Sequence, residues 1–330
     1  MYALKGKVIR LANRPSNHVR AEDFEIITEQ VPEVRSGQVL VKNLFVSLDA
    51  GMRLRMIDLK MPVPLYAVRE PMYGDAIGEV IDSADGGLKP GDIVRHPLGW
   101  RKYALAEGNL FRKIDPDLFP TLSTHLSLGL TSYVGMLEIA NLKPGDTVFV
   151  SNAASSVGSL AGQIARLKGA KRVIGSVGSP AKADYLVHEL GFDAALDYHD
   201  RSFREQLRQA APNGIDVYFD NVGGMQLEAA IDVMNPLGRI VLCGSAGSPE
   251  GGFDGVANLS LAIGKRLTLK GFVVTDHLDR APSFNAEFSQ WLRAGAIKYK
   301  EMVIQGIEHA PQAFIDLLAG KYLGKVVVKI

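Results

Sequence analysis

The run VFVSNAASSVGSLAGQIARLK, Val148–Lys168, constrains the fold more than any other stretch of this chain. Val148, Phe149 and Val150 form an apolar run of the length of a buried strand. Ser151–Ser156 are small turn residues. Beyond them Val157, Leu160, Ala161, Ile164 and Ala165 recur at i, i+3, i+4, i+7 and i+8, which predicts one apolar helix face. Strand, small-residue turn and helix make the opening unit of a dinucleotide-binding α/β domain. The positions of a G-x-G-x-x-G fingerprint hold Ala153, Ser155 and Gly158, so the motif taken alone also fits an ordinary strand–helix turn. Small side chains still let a pyrophosphate approach the backbone. A helix N-terminus supplies N–H donors and the positive end of its dipole.

The units that follow decide between those readings. Arg172–Ser176 is a second strand, and Ser179-Pro180 opens a helix that ends before Gly191. Ala194–Tyr198, Asp216–Asp220, Arg239–Cys243 and Leu267–Val274 continue as strands. Helical patterns cover Phe203–Ala210, Gln226–Met234, Phe284–Arg293 and Ile307–Leu318. Strands alternating with helices predict a doubly wound parallel sheet. Upstream, residues 1 to about 120 carry short β-type runs (Gly37–Leu44, Gly78–Ile81, Ile93-Val94, Tyr103–Leu105) among Gly/Pro turn clusters, which predicts a mostly β barrel. Thr121–Ile139 has helical spacing, and Lys325–Lys329 is a β-like run that returns to the first domain. The expected domains are therefore 1–120 with 300–330, and 121–299.

Charge and composition remove several classes. Lys plus Arg is 37 against 36 for Asp plus Glu, so no field draws the chain to nucleic acid. No apolar run approaches the ~20 residues that span a bilayer, and the first residues lack the apolar core of a signal peptide. A single cysteine, Cys243, excludes an internal disulfide and a multi-cysteine metal site, and fits a reducing cytoplasm. His96, His125, His188, His199 and His277 have no metal-ligand pairing and read as surface or core histidines. No metal is expected.

Two features narrow the nucleotide. An NAD site places an acid at the end of the second strand for the ribose 2′-OH. Here the run is Gly175-Ser176-Val177-Gly178-Ser179, followed by Lys182. The missing carboxylate removes repulsion against a 2′-phosphate and Lys182 offers it a counter-charge, so NADP is favoured. Asp220–Gly224 and Cys243–Gly247 put glycines after two further strands, where a cofactor would lie along the sheet edge.

These residues resemble a known family, the zinc-independent medium-chain dehydrogenase/reductases, in the branch of leukotriene B4 12-hydroxydehydrogenase/prostaglandin reductases and alkenal double-bond reductases. The resemblance spans the chain. It rests on Val46–Asp49 with Met52-Arg53, Gly91-Asp92, Gly99-Trp100, Tyr103, Gly129–Tyr133, Ala153–Ser159, Gly178-Ser179 with Lys182, Phe219–Gly224, Gly271–Val274 and Gly320–Val328. It implies a GroES-like catalytic domain beside a Rossmann domain, NADP(H) as cofactor, a small-molecule substrate and a homodimer through the edge strand near Leu267–Val274. The cofactor residues it implies are Thr131, Ser156, Val157, Gly158, Gly178, Ser179, Lys182, Tyr198, Asn221, Cys243, Gly244, Ser245, Phe272, Val273 and Val274. Lys182 and Tyr198 lie at the 2′-phosphate in this reading.

The chain also departs from that pattern. Asp49-Ala50-Gly51-Met52-Arg53 stands where the family has Asp-Pro-Tyr-Met-Arg, which implies a wider or different pocket at Gly51. His277-Leu278 stands where plant members carry a tyrosine, and Tyr322 where an asparagine holds the nicotinamide. The expected reaction is zinc-independent NADPH reduction of the carbon–carbon double bond of α,β-unsaturated ketones or aldehydes. Tyr73, His277 and Tyr322 are the candidate donors to the developing enolate. Quinone reduction, or NADPH binding without turnover as in crystallin-like relatives, are the alternatives.

Overall fold

A computed structural model describes residues 4–57, 64–245 and 255–330. The chain divides into two compact units, Met1–Ser127 with Glu301–Ile330, and Leu128–Lys300.

The first unit is rich in sheet. Strands β1 (Lys5–Leu11) and β2 (Phe24–Gln30) pair antiparallel. The larger sheet is built around β3 (Gln38–Leu48), followed by helix α1 (Met52–Met56), β4 (Ala76–Ser83), β5 (Ile93–His96), β6 (Tyr103–Glu107) and β7 (Arg112–Lys113). Register shifts at Leu40/Val41 and Asn43/Phe45 bend β3. Its first half then places Val39 and Val41 in one apolar cluster with Val80, Val94 and Phe111. Its second half places Val46 and Leu48 in another with Ile9, Leu11, Trp100 and Phe314.

The second unit opens with α2 (Gly129–Val134) and a π turn, Gly135–Ile139. It continues through β8 (Thr147–Val150), α3 (Ser156–Leu167), β9 (Arg172–Val177), α4 (Pro180–Asp184) with a π turn to Glu189, and β10 (Ala194–Asp197). Then come α5 (Phe203–Ala210), β11 (Ile215–Asp220), α6 (Gly224–Val233), β12 (Met234–Leu242), α7 (Leu261–Lys265), β13 (Thr268–Gly271) and α8 (Ala281–Arg293). The strands order β10-β9-β8-β11-β12-β13, all parallel. Every residue of β8 is buried, as a strand covered on both faces must be. Leu160 and Ile164 of α3 are fully buried, and each such side chain contributes about 1.5–3 kcal/mol. The strand order reverses between β8 and β11, the switch point at which α/β sheets bind ligands at their carboxyl edge.

Strand β14 (Glu301–Gln305), helix α9 (Ala310–Leu318) and β15 (Lys325–Lys329) belong to the first unit, where β15 pairs antiparallel with β3 and parallel with β14. Two expectations need correcting, and one strand is added to them. Thr121–Ile139 is not one helix: Leu122–Leu126 is a 3-10 turn of the first unit, with Ser123 donating to Glu301 at 2.7 Å. Strand β14 went unread because its half-exposed EMVIQ run has weak alternation. The sixth strand is shorter than Leu267–Val274, since Phe272–Val274 have already left the sheet.

Candidate functional site

The turn between β8 and α3 is held from below. Asn152 adopts a left-handed φ of 49°, the Ala153 amide donates to the Ser176 carbonyl at 2.9 Å, and Ser155 caps the helix by accepting from the Gly158 amide at 3.1 Å. A Cβ on Gly158 would run into the Asn152 carbonyl oxygen and come within 2.8 Å of the Ala153 Cα. Alanine for glycine inside an open helix gains about 1 kcal/mol. Here Gly158→Ala is expected to lose about 1–3 kcal/mol instead, because backbone cannot yield as a side chain can. Chemical denaturation of the variant measures the sign directly.

Ser156 sits at the first position of α3 with its hydroxyl buried and, among the described residues, without a hydrogen-bond partner. A buried polar atom left open at a helix N-terminus fits a phosphate oxygen. Thr131 lies in α2, whose Ser132 donates to the Val157 carbonyl at 2.8 Å and so ties α2 to this turn.

Beside it, the end of β11 is organised by the buried carboxyl of Asp220, the first residue of the Asp220–Gly224 segment. One oxygen of Asp220 accepts from the Tyr218 hydroxyl (2.7 Å), the Gly223 amide (2.8 Å), the Val222 amide (2.9 Å) and Ser151 (3.2 Å). Burial pushes this carboxyl up, and the four donors pull it partly back. The Asn221 side chain donates to the Ser151 carbonyl at 2.7 Å, and the Cys243 and Gly244 amides donate to the Asp220 carbonyl at 2.8 and 3.1 Å. Ser151, Asn221, Cys243 and Gly244 are thus gathered at one sheet edge. The Cys243 thiol is pushed up to about 12 by burial and then by Asp220, so it stays neutral. Ser245 follows, whereas Ala246 and Gly247 lie outside the described residues.

At the far side of the sheet, Gly178 and Ser179 follow β9, and half-buried Lys182 occupies the first turn of α4. Burial lowers the Lys182 ammonium from its ordinary value. Tyr198 follows β10, and its amide donates to the Val177 carbonyl at 3.1 Å. Phe272 reaches under the π turn, within 3.2 Å of where a Gly135 Cβ would stand. Val273 is exposed and Val274 begins a 3-10 stretch.

The three candidate donors are distributed over both units. His277 is in the second, edge-on to Phe272 with ring centroids 6.3 Å apart. Tyr73 and Tyr322 are in the first and pack against the same apolar cluster. The Tyr73 hydroxyl donates to the Pro64 carbonyl at 2.7 Å and accepts from Arg55 at 3.0 Å. Tyr322 faces an Asp316 oxygen at 3.4 Å. Sequence reading also missed a buried ion pair there. Lys325, fully buried, donates to the Ser47 hydroxyl (2.5 Å), the Leu48 carbonyl (3.0 Å) and the Asp49 carboxylate just ahead of Gly51.

A parallel sheet with a small-residue turn at its switch point, in one chain with a sheet-rich unit, has the architecture of nucleotide-binding α/β proteins. Residues 7–114 match the family described as "N-terminal domain of oxidoreductase", and residues 156–293 the family "Zinc-binding dehydrogenase". Prostaglandin reductase 1 of Bos taurus is 38% identical, covering 93% of this chain and 94% of its own. The 2-alkenal reductase (NADP(+)-dependent) of Nicotiana tabacum is 36% identical, covering 99% and 98%. The crystal structure of CurA in complex with NADPH from Vibrio vulnificus is similar with a TM-score of 0.91 at 37% identity, covering 98% of each chain. The chain belongs to the medium-chain dehydrogenase/reductase family, in its alkenal and prostaglandin reductase branch, and is an oxidoreductase. One of the matched family descriptions names zinc; among the described residues no three His, Cys, Asp or Glu side chains are grouped to hold a metal ion.

Proposed function

We propose that this enzyme reduces the carbon–carbon double bond of α,β-unsaturated ketones and aldehydes without zinc. Its cofactor is NADP(H). The observation that carries the cofactor site is the open, buried Ser156 hydroxyl at the start of α3, in a turn that Gly158 brings close to backbone. The named activities of the prostaglandin and 2-alkenal reductases support the substrate class.

NADPH, when bound, supplies a hydride to the β-carbon of the enone. Ser156, Val157 and Gly158 hold the pyrophosphate, Lys182 and Tyr198 the 2′-phosphate, with Gly178 and Ser179 beneath. Asn221, Cys243, Gly244, Ser245 and Phe272–Val274 line the track toward Thr131. Negative charge gathers on the substrate carbonyl oxygen and needs a donor. Tyr73, Tyr322 and His277 are the proposed donors. The Tyr73 proton is given to Pro64 in this structure, so that residue must exchange one bond for another. Water supplies the α-carbon proton. Purified protein with NADPH should turn over small enones. Fast turnover of quinones with none of any enone would overturn the reading.

Gly51 is the proposed width-setting position. It caps the start of α1 with a right-handed backbone (φ −60°, ψ −19°), and a Cβ there would meet nothing within 4 Å. Gly51→Tyr therefore enters without strain and should leave stability within about 0.5 kcal/mol. Its kcat/KM for bulky enones should fall about tenfold relative to small ones. An unchanged ratio would remove Gly51 from the pocket.

We also propose a homodimer through the open edge of β13, where Ile263, Val273 and Leu278 are exposed at 81%, 56% and 58%. Light scattering reads the mass. No helix among the described residues is long and apolar enough to cross a membrane, and the lone cysteine fits a cytoplasmic setting.

A further inference from the structure

Two rings meet where β9 ends, beside the helix that follows it. Asp197 of β10 pairs with Val177 of β9, so Tyr198 and His199 leave β10 directly beside Gly178. A Cβ on Gly178 would stand 2.8 Å from the Tyr198 hydroxyl and 3.0 Å from the His199 Cε1. The two rings lie 4.2 Å apart at 40°. Helix α4, which carries Lys182, packs against both β9 and β10.

The imidazole has a fixed direction. One oxygen of Asp197 accepts the His199 amide at 2.9 Å and faces its Nδ1 at 3.0 Å. With Nδ1–H given to that carboxylate, Nε2 is left at the outer end of the ring. The His199 side chain is 62% exposed, so a ligand can reach it. A proton on Nε2 makes an imidazolium, a charge-assisted donor to a phosphate oxygen.

We propose that His199 is a third ligand of the cofactor's 2′-phosphate and helps discriminate NADPH from NADH. This rests on the placement of that phosphate at Lys182 and Tyr198. Gly178, with no side chain, lets the Tyr198 and His199 rings close in on the end of β9; Tyr198 then offers a hydroxyl, Lys182 an ammonium and His199 its outer ring nitrogen. Asp197, which accepts the His199 amide and faces its Nδ1, orients the ring.

The test is equilibrium binding of adenosine 2′,5′-bisphosphate and of 5′-AMP, with NADPH and NADH alongside, to wild type, His199→Phe, His199→Arg and Lys182→Ala. Phenylalanine keeps a ring against Tyr198 and removes the donor; arginine restores a cation. The 2′-phosphorylated ligands should bind His199→Phe roughly fivefold more weakly, with 5′-AMP and NADH unchanged and arginine recovering most of the loss. Equal weakening of both ligand classes would show a ring that only supports Tyr198 and would overturn the inference. Unchanged binding of the phosphorylated ligands would overturn it too. A wild type with no preference for the 2′-phosphate, and no effect of Lys182→Ala, would instead fell the underlying placement and the inference with it.

Discussion

Lys325→Ala is expected to cost about 3 kcal/mol of folding stability, the low end for a buried ion pair that loses one partner. The ammonium is wholly buried and bonded to three oxygens, while Asp49 keeps 22% of its side chain in solvent. Removing Lys325 leaves the Asp49 carboxylate and the Leu48 carbonyl without this donor and opens a cavity between β15 and β3. Water can reach Asp49, which keeps the loss from the upper end. A second substitution, Asp49→Asn, removes the stranded charge and should recover part of the loss. Urea unfolding measures both through the midpoint, provided the slope is unchanged. A single variant within about 0.5 kcal/mol of the wild type would contradict this account of the pair.

Lys182→Ala is expected to weaken NADPH binding by about 1.5–3 kcal/mol, the range for a hydrogen bond to a charged group, with NADH scarcely affected. The half-buried ammonium is disfavoured by its own desolvation. A bound dianion offsets that penalty, so the contact is stronger than one between freely hydrated ions. Fluorescence titration with each coenzyme reads the difference. Equal losses for NADPH and NADH would remove Lys182 from the 2′-phosphate.

Local periodicity carried most of the second unit. Val148–Val150 and the helix face from Val157 to Ala165 lie within a few residues of one another, and such spacings report directly on strand and helix. Thr121–Ile139 shows where spacing misleads. Its 3-10 turn buries Ser123, Thr124 and His125, and Gly135 lets Phe219 approach so closely that a Cβ would be 2.5 Å from its ring. Tertiary packing, not helical period, decides that stretch.

Interactions across long sequence distance were invisible. Lys325 and Asp49 are 276 residues apart, and only the pairing of β15 with β3 brings them together. Asp220 was legible as a residue before two glycines, but its role as the acceptor for four donors depends on Ser151, 69 positions upstream. His199 had no sequence signal, since Gly178 beside it identifies its surroundings only once β9 and β10 are paired.

The central claim is that hydride reaches the β-carbon of an enone. The most direct measurement is to run the reaction with NADPH deuterated at the transferred position and locate the label by mass spectrometry and NMR. One deuterium on the β-carbon of a saturated ketone or aldehyde is the predicted result. Deuterium on the carbonyl carbon of an allylic alcohol, with the double bond intact, would contradict it.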